Sequence, residues 1–320
     1  MNQPFLVLLS LSTAVLVSGT AQTVELYSYT LATPTKVTNV EDGSKLYISS
    51  TDSAVHLSKI SITTNGQTQT LQTLLNNLDA NGYSIGITVN SDLTIATTNT
   101  ADVTDALNGI LFISNAAMAK DPNFLVYSVL DQDKIIDRST NQDTTLVLLN
   151  KRVERAANDP AGKPYYYSRL DNFNQPGDST FCMYQGIPTE RYSDQTYDVA
   201  PNLIFRNPVY LYPTGKPDRD IKFFTNIEPI QYTLRAYHIR ALGPIKFTVS
   251  RVWKDMSTYM TTNETTTGYT MSQKGVEKAT VDFTYTPNHD AKFAFMITTD
   301  GMQSDLNVTM CDNKNCNIQT

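Results

Sequence analysis

The sequence predicts an all-β protein, built as two antiparallel β-sandwich domains in tandem with little helix. Three observations carry this. Short runs rich in Val, Ile, Thr, Tyr and Phe recur along nearly the whole chain. Gly, Asn, Asp and Pro punctuate them at the spacing of strands and turns. Only one run shows the leucine spacing of an amphipathic helix.

In order, residues 24–31 alternate apolar and polar side chains, and Glu41-Asp42-Gly43-Ser44 is a turn leading into a strand at 45–51. Residues 60–63 run into Thr64-Asn65-Gly66-Gln67, where Asn-Gly is the strongest short hairpin signal. Leu71, Leu74, Leu75 and Leu78 predict one short helix over 70–79, closed by Asn81-Gly82. Further strands are expected at 83–89, 93–97, 109–114, 123–129 and 145–149. Residues 151–164, charged and then rich in Ala, Pro and Gly, read as a linker between domains at 22–150 and 165–320. Its Lys151-Arg152 pair is either a processing site or an ordinary exposed loop.

The second half is more aromatic. Strands are expected at 203–205, 209–212, 221–224, 230–237, 245–253, 279–285 and 292–298, with turns at Pro176-Gly177, Pro213-Thr214-Gly215 and Pro287-Asn288. Residues 254–277 are polar, Thr-rich and loop-like. A faint echo between residues 124–131 and 293–300 fits either duplicated domains or shared strand grammar.

Charged residues make up 18% of the chain and its formal charge is −6. With no clustered Lys or Arg, a nucleic-acid partner is not expected. Residues 4–17 form an apolar run ending in Ser18-Gly19-Thr20-Ala21, the layout of a secretory signal peptide over residues 1–21. Cleavage fits after Ala21 or after Gly19, and the run is short for a bilayer span. No apolar stretch follows Cys316. The expectation is therefore a secreted, extracellular chain with no membrane span.

The three cysteines are Cys182, Cys311 and Cys316. Cys311 and Cys316 can close a small ring across Asp312-Asn313-Lys314-Asn315, leaving Cys182 reduced and shielded; the alternative joins Cys182 to one of the terminal pair. Asn263-Glu264-Thr265 and Asn307-Val308-Thr309 are N-glycosylation sequons.

No HExxH pair and no Gly-x-Ser-x-Gly elbow is present. His56, His238 and His289 each have an ordinary structural reading. Asp131, Asp133, Asp300 and Asp305 read as solvated turns rather than metal ligands, so neither a metal nor a cofactor is expected. Tyr165, Tyr166, Tyr167, Tyr184, Tyr192 and Tyr197 fall in a loop-rich stretch. They are candidates for a binding surface, because tyrosine offers an apolar ring with a polar tip. Packing on their own sheet is the competing reading.

The leader, the paired halves, the strand Leu46-Tyr47-Ile48-Ser49-Ser50-Thr51-Asp52 and the terminal cysteine pair together resemble the secreted CUB-like glycoproteins of nematodes. That resemblance implies jelly-roll or CUB-like sandwiches and a role in innate defence or stress. The resulting expectation is a non-enzymatic glycoprotein acting as a binding or structural module for an extracellular protein or glycan. The alternative is a secreted hydrolase with a dispersed active site.

Overall fold

The computed structural model describes residues 19–26, 34–51, 54–100, 107–140, 143–152, 166–175, 179–188, 202–207 and 230–252. It also describes the backbone of the strands at 209–211, 219–221, 226–227, 258–261, 266–267, 280–283, 308–312 and 315–319. The chain divides into two compact units, Met1–Tyr285 and Thr286–Thr320.

The first unit opens with β1 (Gln22–Glu25), β2 (Thr35–Lys36), β3 (Ser44–Ser50), α1 (Ala54–Leu57), β4 (Ile60–Thr64) and β5 (Gln67–Thr70). Next come α2 (Leu71–Leu75), β6 (Ile87–Val89), β7 (Thr94–Thr97), β8 (Gly109–Ile113), α3 (Ala116–Lys120) and β9 (Phe124–Val129). β10 (Lys134–Arg138), β11 (Asp143–Asn150), β12 (Ser168–Asn174), β13 (Thr180–Gln185) and β14 (Leu203–Asn207) follow. After the short strands β15 (Val209–Leu211), β16 (Arg219–Ile221) and β17 (Asn226–Ile227) come β18 (Ile230–Tyr232), β19 (Ala236–Leu242) and β20 (Ile245–Ser250). β21 (Thr258–Thr261), β22 (Thr266–Thr267) and β23 (Thr280–Phe283) complete it.

The protein is all-β, as expected, and its four larger sheets form stacked layers. β2-β7-β4-β5 faces β1-β8-β3-β6 across a core that includes Ile62, Ile95, Leu46, Ile48, Leu111 and Ile113, with Leu71 and Leu74 of α2. β14-β13-β19-β11-β9 faces β10-β20-β12-β18 across a second core that includes Leu146, Leu148, Phe181, Met183, Phe173 and Phe247. The two sandwiches meet back to back. Tyr47 and Phe112 of the first pack on Phe124, Val126, Val147 and Leu149 of the second, with Met118 of α3. Ser49 Oγ, buried on the same face, lies 2.6 Å from Ser128 Oγ and donates to Leu149 O at 3.3 Å.

This stacking explains the strand patterns. β4 and β7 alternate buried and half-buried residues, because one face meets the core and the other meets water. β3, β9 and β11 lie in the two inner layers, so nearly every residue is buried and alternation is lost.

Strand pairing crosses the stretch read as a linker. β11 pairs with β19 antiparallel and β10 with β20, while β9 joins β11 in parallel. The strands of residues 124–150, assigned from sequence to the N-terminal domain, thus complete sheets whose other members lie beyond residue 165. Residues 153–165 themselves lie outside the described residues.

The Asn65-Gly66 hairpin forms as expected, with φ of 55° and 70° and with Thr64 opposite Gln67. Both central residues are left-handed, the geometry of a tight two-residue hairpin turn. A Cβ on Gly66 would meet nothing within 4 Å, so only backbone strain opposes a larger residue there. Gly66→Ala is expected to cost about 1–2 kcal/mol in chemical denaturation, and an unchanged midpoint would contradict this reading of the turn.

Three expectations need correction. The helix over 70–79 is only α2; its fourth leucine, Leu78, is 41% exposed and caps no core. The strand over 83–89 begins only at Ile87. Gly86 takes φ of 68°, and the preceding amides are spent elsewhere, Ser84 N on Val126 O and Ile85 N on Asn77 O. The strand over 230–237 is broken because the chain changes sheets between β18 and β19. β10, β12 and α3 were not expected from the sequence; the last is capped by Asn115, whose side chain accepts from Met118 N at 2.8 Å.

The second unit contains β24 (Val308–Asp312) and β25 (Asn315–Gln319), an antiparallel hairpin. Its register sets Cys311 opposite Cys316.

Candidate functional site

Among the described residues, a group of chemically versatile side chains lies on one face of the sheet β14-β13-β19-β11-β9. Cross-strand register builds it in two rows. Arg206, Cys182, Arg240 and Thr145 stand opposite one another in one row, and Tyr184 and His238 stand opposite each other in the next. The opposite face of these strands carries Phe181, Met183, Ile239 and Leu146 in the second core. Period-two alternation therefore sends the polar residues to the other side.

The rows are tightly arranged. The rings of Tyr184 and His238 stack at 4.8 Å with 12° between their planes. His238 is fully buried, and its Nδ1 lies 2.9 Å from the carbonyl of Gly186. A carbonyl only accepts, so Nδ1 carries the hydrogen. Burial, with Arg240 adding to it, holds the imidazole down to about 4 and outweighs the Gly186 bond. Cys182 is a buried free thiol, with Tyr184 and Leu203 packed against it. Burial pushes its ionisation up against the opposing pull of Tyr184, Arg206 and Arg240. Arg240 donates to Thr145 Oγ1 at 3.2 Å. At neutral pH this face offers a protonated thiol and a neutral imidazole. The thiolate needed for nucleophilic attack and an imidazole poised near pH 7 for proton transfer are both disfavoured here.

Of the tyrosines read as a binding surface, two are buried. Tyr167 and Tyr184 are 4% and 1% exposed, so neither ring faces a partner. Tyr167 directly precedes β12 and Tyr184 sits inside β13, two strands within the stretch expected to be loop-rich. Tyr166 is half-buried, with the Arg235 guanidinium 4.7 Å from its ring centre, and Arg235 also pairs with Glu25. Tyr165, Tyr192 and Tyr197 lie outside the described residues, as do the sequon residues Asn263 and Asn307 and also His289.

His56 is half-buried in α1, on the first sandwich, and its carbonyl accepts from Asn99 Nδ2 at 3.1 Å. It is thus on a different sandwich from His238. Asp131 is 85% exposed and meets Arg251 at 3.2 Å. Lys151 of the dibasic pair is partly buried, and burial together with Arg251 lowers its ionisation. Among the described residues, no three His, Cys, Asp or Glu side chains gather as a metal site.

The model of a family described as Transmembrane glycoprotein matches residues 41–320. No match to the chain is found among curated proteins. The family finding corrects the expected kinship with CUB-like proteins, which rested on strand grammar and a terminal cysteine pair and on no diagnostic motif. It also corrects the expectation of a purely secreted, extracellular chain without a membrane span. Among the described residues no helix is long and apolar enough to cross a membrane. Because the match takes in most of the sequence, from the turn before β3 to the last residue, the chain belongs to the transmembrane glycoprotein family.

Proposed function

We propose that this protein is a membrane-associated glycoprotein that works without catalysis, its layered β-body serving as a binding or structural module. The family match over residues 41–320 carries the reading. Two sequons supply acceptor asparagines, Asn263 and Asn307. The raised thiol and lowered imidazole of Cys182 and His238 support the non-enzymatic part, since neither is tuned for chemistry at neutral pH.

The test uses the protein from its own cells. It is expected to stay with membranes through alkaline carbonate washing, to gain mobility after N-glycosidase treatment, and to resist labelling by a fluorophosphonate probe. Full release into the wash, or stoichiometric labelling of one serine, would overturn the corresponding part.

The cysteines extend the proposal. Directly opposite residues of an antiparallel pair have Cα atoms about 4.5–5.5 Å apart, inside the range of about 4.4–6.8 Å that a disulfide spans. Cys311 and Cys316 hold that relation, and Cys182 is a buried free thiol. Non-reducing peptide mapping is expected to recover Cys311 joined to Cys316 and Cys182 unmodified. A peptide joining Cys182 to the C-terminal segment would contradict it.

A further inference from the structure

The residues where the leader was expected to be cut are seated inside the folded body. Gly19 is buried, and a Cβ built on it would lie 2.6 Å from Glu41 Cβ and 2.8 Å from the Glu41 amide nitrogen. Glu41 has little freedom to retreat, because its Oε2 accepts from Ala116 N at 3.1 Å. Two residues on, Ala21 packs against the cluster of Tyr47, Phe112 and Met118 between the two sandwiches. Gln22 then starts β1 opposite Ile113, and its Nε2 donates to Thr38 O at 2.9 Å.

We propose that Gly19–Ala21 is a permanent part of the folded protein, so that the leader is not cut after Gly19 or after Ala21. Any removal of the apolar run falls at or before the Ser18–Gly19 bond. Cleavage is hydrolysis: water adds across the peptide bond, leaving a carboxylate on the leader and an ammonium on the body. After Ala21, that cut would strip a side chain from the packed cluster and place the new ammonium on the first residue of β1. After Gly19, it would vacate a slot so narrow that a Cβ there would lie 2.6 Å from Glu41 Cβ. A close fit at position 19 makes structural sense only for a residue that remains. Gly19, which helps to imitate a cleavage signal in the sequence, is small here because Glu41 leaves little room for a side chain.

N-terminal sequencing with intact-mass measurement of the native protein tests this directly. The expected first residue is Gly19 or one preceding it; a chain starting at Thr20 or Gln22 overturns the proposal. Substitution gives a second readout on the full chain. Gly19→Val is expected to lower Tm by at least about 2–4 °C. An unchanged Tm would mean that residue 19 is absent from the folded protein. Should the valine variant fail to accumulate, the terminus of the unaltered protein still decides.

Discussion

Replacing Phe181 with alanine is expected to remove about 3–5 kcal/mol of stability, the range for deleting a fully buried aromatic ring. Phe181 sits on β13 and is fully buried. Its ring meets Phe173 edge-on at 4.6 Å, Phe205 at 6.1 Å and Phe247 at 6.3 Å. These partners come from β12, β14 and β20, so one side chain ties both sheets of the second sandwich together. The cavity left by alanine would be walled by other rings in well-packed strands, which limits collapse and places the cost high in the range. Denaturant titration of the variant checks it, and a loss under about 1 kcal/mol would mean that the ring is not central to this core.

Lowering the pH from neutral to about 4 is expected to erode stability through His238. The folded protein holds this imidazole down to about 4, while an unfolded chain titrates it near 6.5. Between these values the unfolded state binds the extra proton, so stability rises with pH across the window and is lost as pH falls through it. The contribution present above pH 6.5 and absent below 4 is roughly 3 kcal/mol. Carboxylates also titrate toward the lower end, so the informative quantity is the difference from His238→Gln, which has no proton to gain. Denaturation midpoints of the two proteins should converge as pH falls from 6.5 to 4. Parallel curves would show that His238 does not carry a depressed ionisation.

Local signals read well in the sequence where one face of a strand meets water. β4, β5 and β7 were legible because Ile60 and Ile62 alternate with Ser61 and Thr63, and because Asn65-Gly66 can hardly be anything but a tight turn. The inner layers were legible as strands, since Leu46 to Ser50 or Leu146 to Asn150 form β-rich runs. Their partners were not, because a strand buried on both sides gives no sign of which sheet it joins. That is why residues 151–164 looked like a domain boundary: a break in composition marks a connection, not the pairing of the strands it connects. β12, and the full extent of β13, were not legible for another reason. Asn172, with φ of 52°, accompanies a shift in the register of β12, and Cys182 and Tyr184 occupy the polar face of β13. Tyr184, in a stretch that reads as loop-rich, is therefore a sheet residue. The Arg206–Cys182–Arg240 row arises from pairings among β13, β14 and β19, and no spacing in the sequence foretells it.

The central structural claim is that strands before and after residue 151 build one layered body. Expressing residues 1–150 and 151–320 as separate chains tests it most directly. Without β9, β10 and β11, the second fragment lacks two members of the sheet containing β19 and the edge partner of β20. The second core would then lack Ile136, Leu146 and Leu148, leaving apolar residues such as Phe181, Ile239 and Phe247 without part of their packing. The account predicts that residues 151–320 alone show no cooperative unfolding transition, and that co-expression with residues 1–150 restores one. A cooperative transition from the isolated 151–320 fragment, matching that of the full chain, would contradict it.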